Sequence, residues 1–205
     1  MTDQQGPRRG RGRPRTPGAE QKILAAALSE YAERGWSGFT MDAVARRAGV
    51  GKSTVYLRWA DKDALLTEAV STSAQAIALP DSGTLRDDIA EVVHSTMRHF
   101  HSDHGWATIR VTFDHASTSE EMGQFAEMVT MVHGSKVRQI CDRAVERGEL
   151  SSDMPPGLVS EMIFGAALIN ALSERLEGRT DADADLVERA DRMIDIIVRG
   201  IAASD

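Results

Sequence analysis

The sequence has little cysteine, few aromatic residues and no long apolar run. Its single cysteine, Cys141, excludes a disulfide framework and is typical of a reducing compartment. The longest apolar run, residues 162–169, is far shorter than the roughly 20 residues that a membrane-spanning helix needs. The basic N-terminal stretch is not followed by the apolar core of a signal peptide. We therefore expect a cytoplasmic protein without a membrane partner.

Ala, Glu, Arg and Leu are plentiful instead, whereas β-branched runs are short. This composition predicts an all-α fold. A chain of 205 residues buries enough apolar surface to fold without a disulfide or a structural metal. It is also long enough for a small module joined to a medium-sized domain. Nothing in the composition calls for a cofactor, and we expect none.

The net charge of −7 conceals a strong asymmetry along the chain. Residues 1–66 contain 12 Lys and Arg against 7 Asp and Glu, which is a net charge of +5. Residues 67–205 contain 12 Lys and Arg against 24 Asp and Glu, which is a net charge of −12. DNA is attracted to the first part and repelled by the second. The asymmetry indicates two functions in one chain.

The first 18 residues are rich in Arg, Pro and Gly, and their only large apolar residue is Met1. Such a segment cannot bury surface, so we expect a disordered arm. The GRPR string at 12–15 places Arg13 and Arg15 in an extended segment that suits the negative potential of a narrow minor groove. The alternative is a solvated leader that contacts nothing.

The residues after the arm predict a series of short helices. Apolar residues recur at helical spacing over 20–34, and Gly35 marks the end of that helix. Thr40 is a good N-cap for a second helix that ends at Gly49, and a third helix of about two turns begins at Lys52. A helix, a glycine-centred turn and a short helix form the helix-turn-helix plan, whose second helix enters the major groove of DNA.

The third helix carries the side chains that would read DNA. Lys52, Ser53 and Thr54 meet base edges first, because Lys donates to guanine acceptors and the hydroxyls pair with several bases. Val55 and Trp59 face the other way and should pack against neighbouring helices. Phosphate contacts are predicted for side chains on the flanks and at helix starts, namely Tyr56, Arg58, Lys62 and Thr40. The alternative is an ordinary three-helix packing unit.

The helix at 20–34 and the segment FTMDAVARRAGVGKSTVYLRWADKDAL at 39–65 resemble the TetR family of transcriptional regulators. Gly51 departs from the commoner serine, and Leu57 stands where a polar or aromatic residue often reads DNA. The resemblance implies a homodimer, a palindromic operator in double-stranded DNA, repression, and a small molecule that lowers operator affinity. The matching positions are Thr40, Ala45, Ala48, Gly49, Val50, Tyr56, Trp59, Lys62 and Leu65.

The C-terminal part contains longer helices, predicted at 85–101, 120–146, 158–177 and 184–201, after a turn at 80–83. Methionine and aromatic side chains in the first half of this part either fill a core or line a pocket between the fifth, sixth and seventh helices. The resemblance favours a pocket for an apolar effector. The candidate lining residues are Met97, Phe100, His101, Trp106, Ile109, Phe113, Phe125, Met128 and Val132.

The last two helices have the apolar surface that a dimer needs. Helix 158–177 is apolar around much of its circumference, and helix 184–201 carries one apolar stripe. Such helices either pack inside one chain or meet their symmetry mates in a four-helix bundle, and we expect the bundle. The predicted interface residues are Met162, Ile169, Leu186, Met193, Ile194 and Ile197.

Two other patterns suggest chemistry that their surroundings exclude. GVGKST at 49–54 is similar to the end of a phosphate-binding loop, but Arg46 stands where the first glycine is required and a helix precedes it instead of a strand. His99, His101 and His104 lie close in sequence to Asp103, as metal ligands do. The first two point apart on a helix, however, so we predict solvated histidines and no metal.

We therefore predict an all-α protein with an N-terminal helix-turn-helix DNA-binding module and a C-terminal helical ligand-binding and dimerisation domain. The boundaries are 1–18 for the arm, 19–66 for the module and 67–205 for the C-terminal domain. The predicted function is a sequence-specific DNA-binding regulator that is not an enzyme. An architectural DNA-coating protein without an effector and a helical enzyme remain alternatives. The fourth helix, which starts near Asp61, is expected to couple the effector to DNA binding.

Overall fold

The structure is a computed structural model. It describes residues 18–74, 77, 79–116, 134–178 and 183–202. The described residues form nine helices and one isolated antiparallel β-bridge, which confirms the all-α prediction. The helices are α1 (Ala19–Gly38), α2 (Met41–Ala48), α3 (Lys52–Tyr56), α4 (Lys62–Ala74), α5 (Leu85–His101), α6 (Asp103–Ala116), α7 (134–146), α8 (Pro156–Glu177) and α9 (Asp183–Ile201).

Local caps set the helix boundaries in the N-terminal part. The Thr40 hydroxyl accepts a hydrogen bond from the backbone N–H of Ala43 at 3.2 Å, which starts α2. Gly49 ends α2 with a φ of 67°, in the left-handed conformation that glycine adopts without strain. Asp61 accepts from the backbone N–H of Ala64 at 2.8 Å and so starts α4. The predicted cap at Thr40 and the predicted turn at Gly49 are confirmed.

Helix α1 extends beyond its predicted end. Gly35, with a φ of 62° and a ψ of −175°, breaks the regular helix as expected, but one more helical turn continues to Gly38. Donors from later helices satisfy the carbonyl groups around this break. Arg110 of α6 donates to the carbonyl of Ala32 at 2.7 Å, and Lys62 of α4 donates to the carbonyl of Trp36 at 3.3 Å. The extra turn therefore depends on tertiary contacts that local sequence does not encode.

The first hydrophobic core joins α1, α2, α3 and α4 to one face of α6. Tyr31 and Phe39 are fully buried in it, with ring centroids 5.8 Å apart in an edge-on arrangement. Val55 and Trp59 anchor α3 to this core, as predicted, and the Trp59 indole donates to Glu68 at 2.8 Å. The N-terminal module is thus packed directly against a helix of the C-terminal part.

The second core lies around α5, which packs against α6, α8 and α9. Cys141 of α7 is buried in this core as predicted, and burial raises the pKa of its thiol to about 11. Ile194 and Ile197 of α9 are each only 3% exposed because they pack inside the protomer. This packing removes them from the predicted dimer interface. Met97, predicted to line the pocket, is also a core residue at 1% exposure.

Helix α8 is 22 residues long and has a mean hydropathy of 1.3 over its most apolar 18 residues. By length and composition alone it is the one described helix that could cross a membrane. Its buried side chains, however, belong to the second core together with those of α5 and α9. A core helix of a helical domain meets the same length and hydropathy criteria.

Candidate DNA-binding surface and effector pocket

Helix α3 has one buried side and one exposed side. Val55 is fully buried, whereas Lys52, Ser53 and Tyr56 are exposed on the opposite side and Thr54 is half-buried. The glycine turn before it lets α3 leave α2 sharply, since Gly49 adopts a positive φ that other residues resist. The structure therefore brings the predicted base-reading residues to one exposed face of a short helix.

The remaining side chain on this face is Leu57, which is 85% exposed directly after α3. An isolated exposed leucine is ordinary on a protein surface. The backbone N–H of Leu57 donates to the carbonyl of Ser53 at 3.0 Å, which fixes its position relative to α3. The exposed face of α3 thus offers one cation, hydroxyl groups and one apolar side chain to a partner.

Asp42 is a residue of this surface that the sequence reasoning missed. It lies in the first turn of α2 and accepts from the Lys52 ammonium at 2.5 Å and from the Tyr56 hydroxyl at 3.3 Å. The Lys52 ammonium holds the pKa of the Asp42 carboxyl below its ordinary value. The spacing of ten residues between Asp42 and Lys52 could have revealed the pair, because the helix-turn-helix plan brings the start of α2 near the start of α3.

Two predicted phosphate ligands have partners within the protein. Arg58 is paired with Glu20 of α1 at 3.0 Å, and its side chain is 31% exposed. The Thr40 hydroxyl caps α2, although the residue itself is exposed. Arg58 can exchange Glu20 for a phosphate oxygen, and the Thr40 hydroxyl can donate to a phosphate oxygen while it still accepts from Ala43.

Lys62 is placed differently from expectation. Its ammonium lies 3.8 Å from the centre of the Trp36 ring and donates to the Trp36 carbonyl at 3.3 Å. The side chain therefore holds the last turn of α1 and is half-buried. A phosphate contact would require the ammonium to leave this ring or the phosphate to approach it. Arg13 and Arg15 lie outside the described residues.

A cavity of about 260 Å³ lies between α5, α6 and α8. Phe100, Ile109 and Phe113 line it as predicted for an effector pocket, and Phe113 is 57% exposed. Helix α8 supplies half of the lining, which the sequence reasoning had assigned to dimer contacts alone. The remaining lining residues are Thr108, Thr112, Ser160, Glu161, Phe164, Gly165 and Leu168.

The other predicted pocket residues do not line this cavity. His101 lies 2.8 Å from the buried carboxylate of Glu174, and its second ring nitrogen lies 2.7 Å from the carbonyl of Met97. Trp106 is half-buried beneath the Arg175 guanidinium, 4.6 Å from the ring centre. These contacts join the ends of α5, α6 and α8. Phe125, Met128 and Val132 lie outside the described residues.

The histidines near the end of α5 have individual surroundings. His99 is largely buried beside Phe100, and desolvation lowers its pKa to about 4, with a smaller contribution from His104. His99 is therefore neutral at neutral pH and is not solvated as predicted, whereas His104 is exposed as predicted. Within the described part of the chain, no three His, Cys, Asp or Glu side chains converge on one point as metal ligands would.

Helix α6 has two opposite functional faces. Thr108, Ile109 and Phe113 face the cavity, whereas Arg110 and Asp114 face α1. The buried Tyr31 hydroxyl donates to Asp114 at 2.9 Å, and burial is the main reason that its pKa is raised well above the ordinary value. One helix thus connects the cavity directly to the N-terminal module.

Comparison with known proteins agrees with these two parts. Residues 23–69 match the family model described as bacterial regulatory proteins of the tetR family. Residues 79–194, which are more than half of the chain, match the model described as the tetracyclin repressor-like C-terminal domain. The chain belongs to the TetR family. It is a DNA-binding, ligand-responsive transcriptional regulator, and homodimers and repressors are typical of this family.

Individual relatives and a solved structure agree with these family matches. The HTH-type regulator YdeS of Bacillus subtilis is 26% identical over 88% of this chain and 91% of its own length. The HTH-type regulator Mb1581 of Mycobacterium bovis is 33% identical over 65% of this chain and 66% of its own. The structure of FadR from Bacillus subtilis in complex with stearoyl-CoA superposes with a TM-score of 0.72 at 21% identity, covering 88% and 98% of the two chains, and shares the fold.

Proposed function

We propose that this TetR-family protein is a homodimeric repressor that binds a palindromic operator and is released by a small apolar effector. The observation that carries the proposal is the geometry of α6, which lines a cavity with one face and holds the DNA-binding module with the other. Regulation needs such a connection, because an effector shifts DNA affinity only if it binds two module arrangements unequally.

The exposed side of α3 is the proposed recognition surface. Lys52, Ser53 and Thr54 at its N-terminal end would meet base edges in the major groove, where Lys donates to guanine O6 and N7. Tyr56 and Arg58 would contact phosphates, and Thr40 would do so from the start of α2. We also propose the phosphate role for Lys62, although its ammonium packs on Trp36 in the free protein. Arg13 and Arg15 remain candidates for the minor groove.

A twofold dimer would present two copies of α3 to successive major grooves, roughly 34–36 Å apart. Ile169 and Leu176, seven residues apart, form an outward apolar stripe on α8 that belongs to neither the second core nor the cavity lining. Ile169 is 60% exposed and Leu176 is 79% exposed on this stripe. Met162, seven residues before Ile169, and Leu186 and Met193 of α9 are further candidates, although each also packs partly against the second core. Ile194 and Ile197 are not, because they are buried in the protomer.

The cavity supports an effector with a compact apolar part. Phe100, Phe113 and Phe164 are the aromatic residues of its described lining, and Glu161 brings a carboxylate to its rim. A negative charge at the rim disfavours an anionic group beside it, so we expect a neutral compound to bind more tightly than its acid analogue. The FadR relative, whose structure holds stearoyl-CoA, suggests that long-chain acyl compounds belong in the first set to be tested.

The proposed signal path runs through α6 to the kinked end of α1. A ligand between α6 and α8 that moves α6 would move Arg110 and Asp114 with it. These side chains hold Ala32 and Tyr31 of α1, which shares the first core with α3. A coupling of about 1–3 kcal/mol would change operator affinity by about 5–150-fold. Helix α4, predicted to be the strut, contributes through Lys62 and Trp36 at the same end of α1.

The test has two arms. In the first, the full chain is incubated with duplexes that contain a random 30-base-pair core, and enrichment of a palindrome supports the operator proposal. In the second, thermal unfolding is measured with octadecanol, stearate and stearoyl-CoA, followed by binding to the enriched duplex. Stabilisation together with release supports the effector proposal. No enrichment of any sequence, or binding that no apolar compound changes, would contradict the respective arm.

We further propose the division into arm, module and C-terminal domain at residues 18/19 and 66/67, and a cytoplasmic location without enzymatic activity. Two separate cores support the division, although α6 contributes to the first core from beyond residue 66. The architectural and enzymatic alternatives lack comparable support. An architectural protein does not need a cavity connected to its DNA-binding module, and Glu161 is the one acidic or basic side chain among the described residues that line the cavity.

A further inference from the structure

The exposed face of α3 carries its cation in a paired state. The Lys52 ammonium lies 2.5 Å from one oxygen of Asp42, and the other oxygen of Asp42 accepts the Tyr56 hydroxyl at 3.3 Å. The two side chains of the ion pair remain accessible, with Lys52 67% and Asp42 44% exposed. A base-reading residue and a phosphate-binding residue therefore share one acceptor, and that acceptor belongs to the neighbouring helix α2.

The carboxylate of Asp42 changes the free energy that Lys52 gains from each contact with DNA. If Lys52 leaves Asp42 for a phosphate, one anionic partner replaces another and the exchange gains little. The Asp42 carboxylate that remains is then close to a polyanion, which disfavours the exchange further. The lysine next to Asp42 holds the pKa of this carboxyl below its usual range, so the negative charge is present throughout the neutral pH range.

A G·C base pair offers a different exchange. Guanine O6 and N7 accept from Lys52, while the cytosine amino group of the same pair is a donor that a carboxylate can accept. Asp42 and Lys52 would then both have partners on one base pair. A wrong base pair leaves one of the two charges unpaired, which is the usual way in which an interface rejects a competitor.

We propose that Asp42 is a specificity-determining residue, which withholds Lys52 and Tyr56 from indiscriminate phosphate contacts and favours a G·C pair opposite Lys52. This inference rests on the proposed placement of α3 in the major groove. Asp42 acts on DNA partly through Lys52, so the effect of replacing it must depend on Lys52. That dependence separates the proposal from a merely structural role for the Asp42 side chain in α2.

The test compares the full chain with Asp42→Asn, which keeps an oxygen acceptor for Lys52 and Tyr56 but removes the charge. Asp153→Asn is the matched control, because Asp153 is exposed in the loop before α8 and its replacement changes the net charge equally. Each protein is used to select duplexes from the random 30-base-pair pool. Fluorescence anisotropy then measures affinity for the selected duplex and for a scrambled one at several KCl concentrations.

We expect Asp42→Asn to bind the scrambled duplex more tightly by about 1.5- to 5-fold per protomer, the range for an exposed ion pair, and hence by about 2- to 25-fold for a dimer. Its preference for the selected duplex should fall, and the selected sequences should lose the G·C requirement at one position in each half-site. The salt slope on scrambled DNA should steepen by about one for each Lys52 released. Asp153→Asn should change none of these quantities selectively.

A double variant completes the experiment. In a Lys52→Gln background, Asp42→Asn should change the affinity for scrambled DNA much less than it does in the wild-type background. Equal loss of affinity for both duplexes, or an unchanged sequence preference, would overturn the inference while leaving the recognition role of α3 intact. If the wild-type chain enriches no sequence, the placement of α3 itself fails, and the inference fails with it. Should Asp42→Asn unfold, as circular dichroism would reveal, Asp42→Ser takes its place in every arm.

Discussion

Two isoleucines of α8 allow the dimer proposal to be tested with one helix as its own control. Ile169 is 60% exposed on the outward stripe, whereas Ile163 is fully buried in the second core. Replacing each of them by Asp adds the same charge to the same helix. We expect Ile169→Asp to give a folded monomer and Ile163→Asp to give an unfolded or aggregated chain.

The magnitudes follow from the exposed areas. Full burial of an isoleucine side chain contributes about 1.5–3 kcal/mol, so covering the 60% of Ile169 that the protomer leaves exposed contributes about 1–2 kcal/mol per subunit. Twofold symmetry doubles this to about 2–4 kcal/mol per dimer, which is about 30- to 1,000-fold in the dissociation constant. A carboxylate in an apolar interface weakens the dimer further. At Ile163 the cost falls on folding instead and should exceed about 4 kcal/mol.

Sedimentation equilibrium over a range of protein concentrations measures the dissociation constant, and circular dichroism with urea unfolding measures the fold. The wild-type chain should sediment as a dimer, and Ile169→Asp should sediment as a monomer with unchanged helicity. A wild-type monomer would contradict the dimer proposal. A dimer of undiminished affinity in Ile169→Asp would show that the α8 stripe is not the interface. A well-folded Ile163→Asp would refute the assignment of the core face.

Three further predictions concern recognition, coupling and stability. Lys52→Ala should weaken binding to the selected duplex and relax base choice at one position per half-site, which a mobility-shift titration with single-base variants measures; unchanged selectivity would exclude a reading role. Arg110→Gln should lower the free energy of unfolding by about 1 kcal/mol, a value discounted because the side chain is 37% exposed, and should speed amide exchange in the last turn of α1. Unchanged exchange there would argue against the proposed path. Burial lowers the pKa of His99 from 6.5 to about 4, so the folded state binds fewer protons than the unfolded state between these pH values. The stability of the wild-type chain should therefore fall as pH decreases through this window, by about 1.4 kcal/mol per pH unit and about 3 kcal/mol in total. His99→Gln should lose this component in urea unfolding, and a variant with the wild-type pH dependence would contradict the burial argument.

Local signals were sufficient for the N-terminal module. Thr40 and Gly49 specify the ends of α2 through a side-chain cap and a left-handed glycine, both of which act within four residues of the chain. The two-sidedness of α3 also follows from sequence, since Val55 and Trp59 are the apolar members of a short polar helix. These features depend on neighbouring residues, which is why the sequence predicted them correctly.

Longer-range features required the fold. An apolar helix face predicts burial but does not state what buries it, so Ile194 and Ile197 were assigned to a dimer interface although they pack inside the protomer. Helix α8 was interpreted as a dimer element for the same reason, whereas its apolar circumference is divided among the core, the cavity and an outward stripe. Hydrophobic periodicity predicts which face of a helix is buried. Only the packing of the folded chain shows which helix, subunit or ligand buries it.

For the charged residues too, the sequence predicts one property and the tertiary structure decides another. Composition alone predicted that the basic first third attracts DNA and that the acidic remainder repels it, because long-range attraction depends on summed charge. The tertiary structure decided which cations are available: Lys62 is held by Trp36, Arg110 by the kinked end of α1, and Lys52 by Asp42. Each of these pairs joins residues that are distant in sequence and a few ångströms apart in space, a distance that only the folded chain sets.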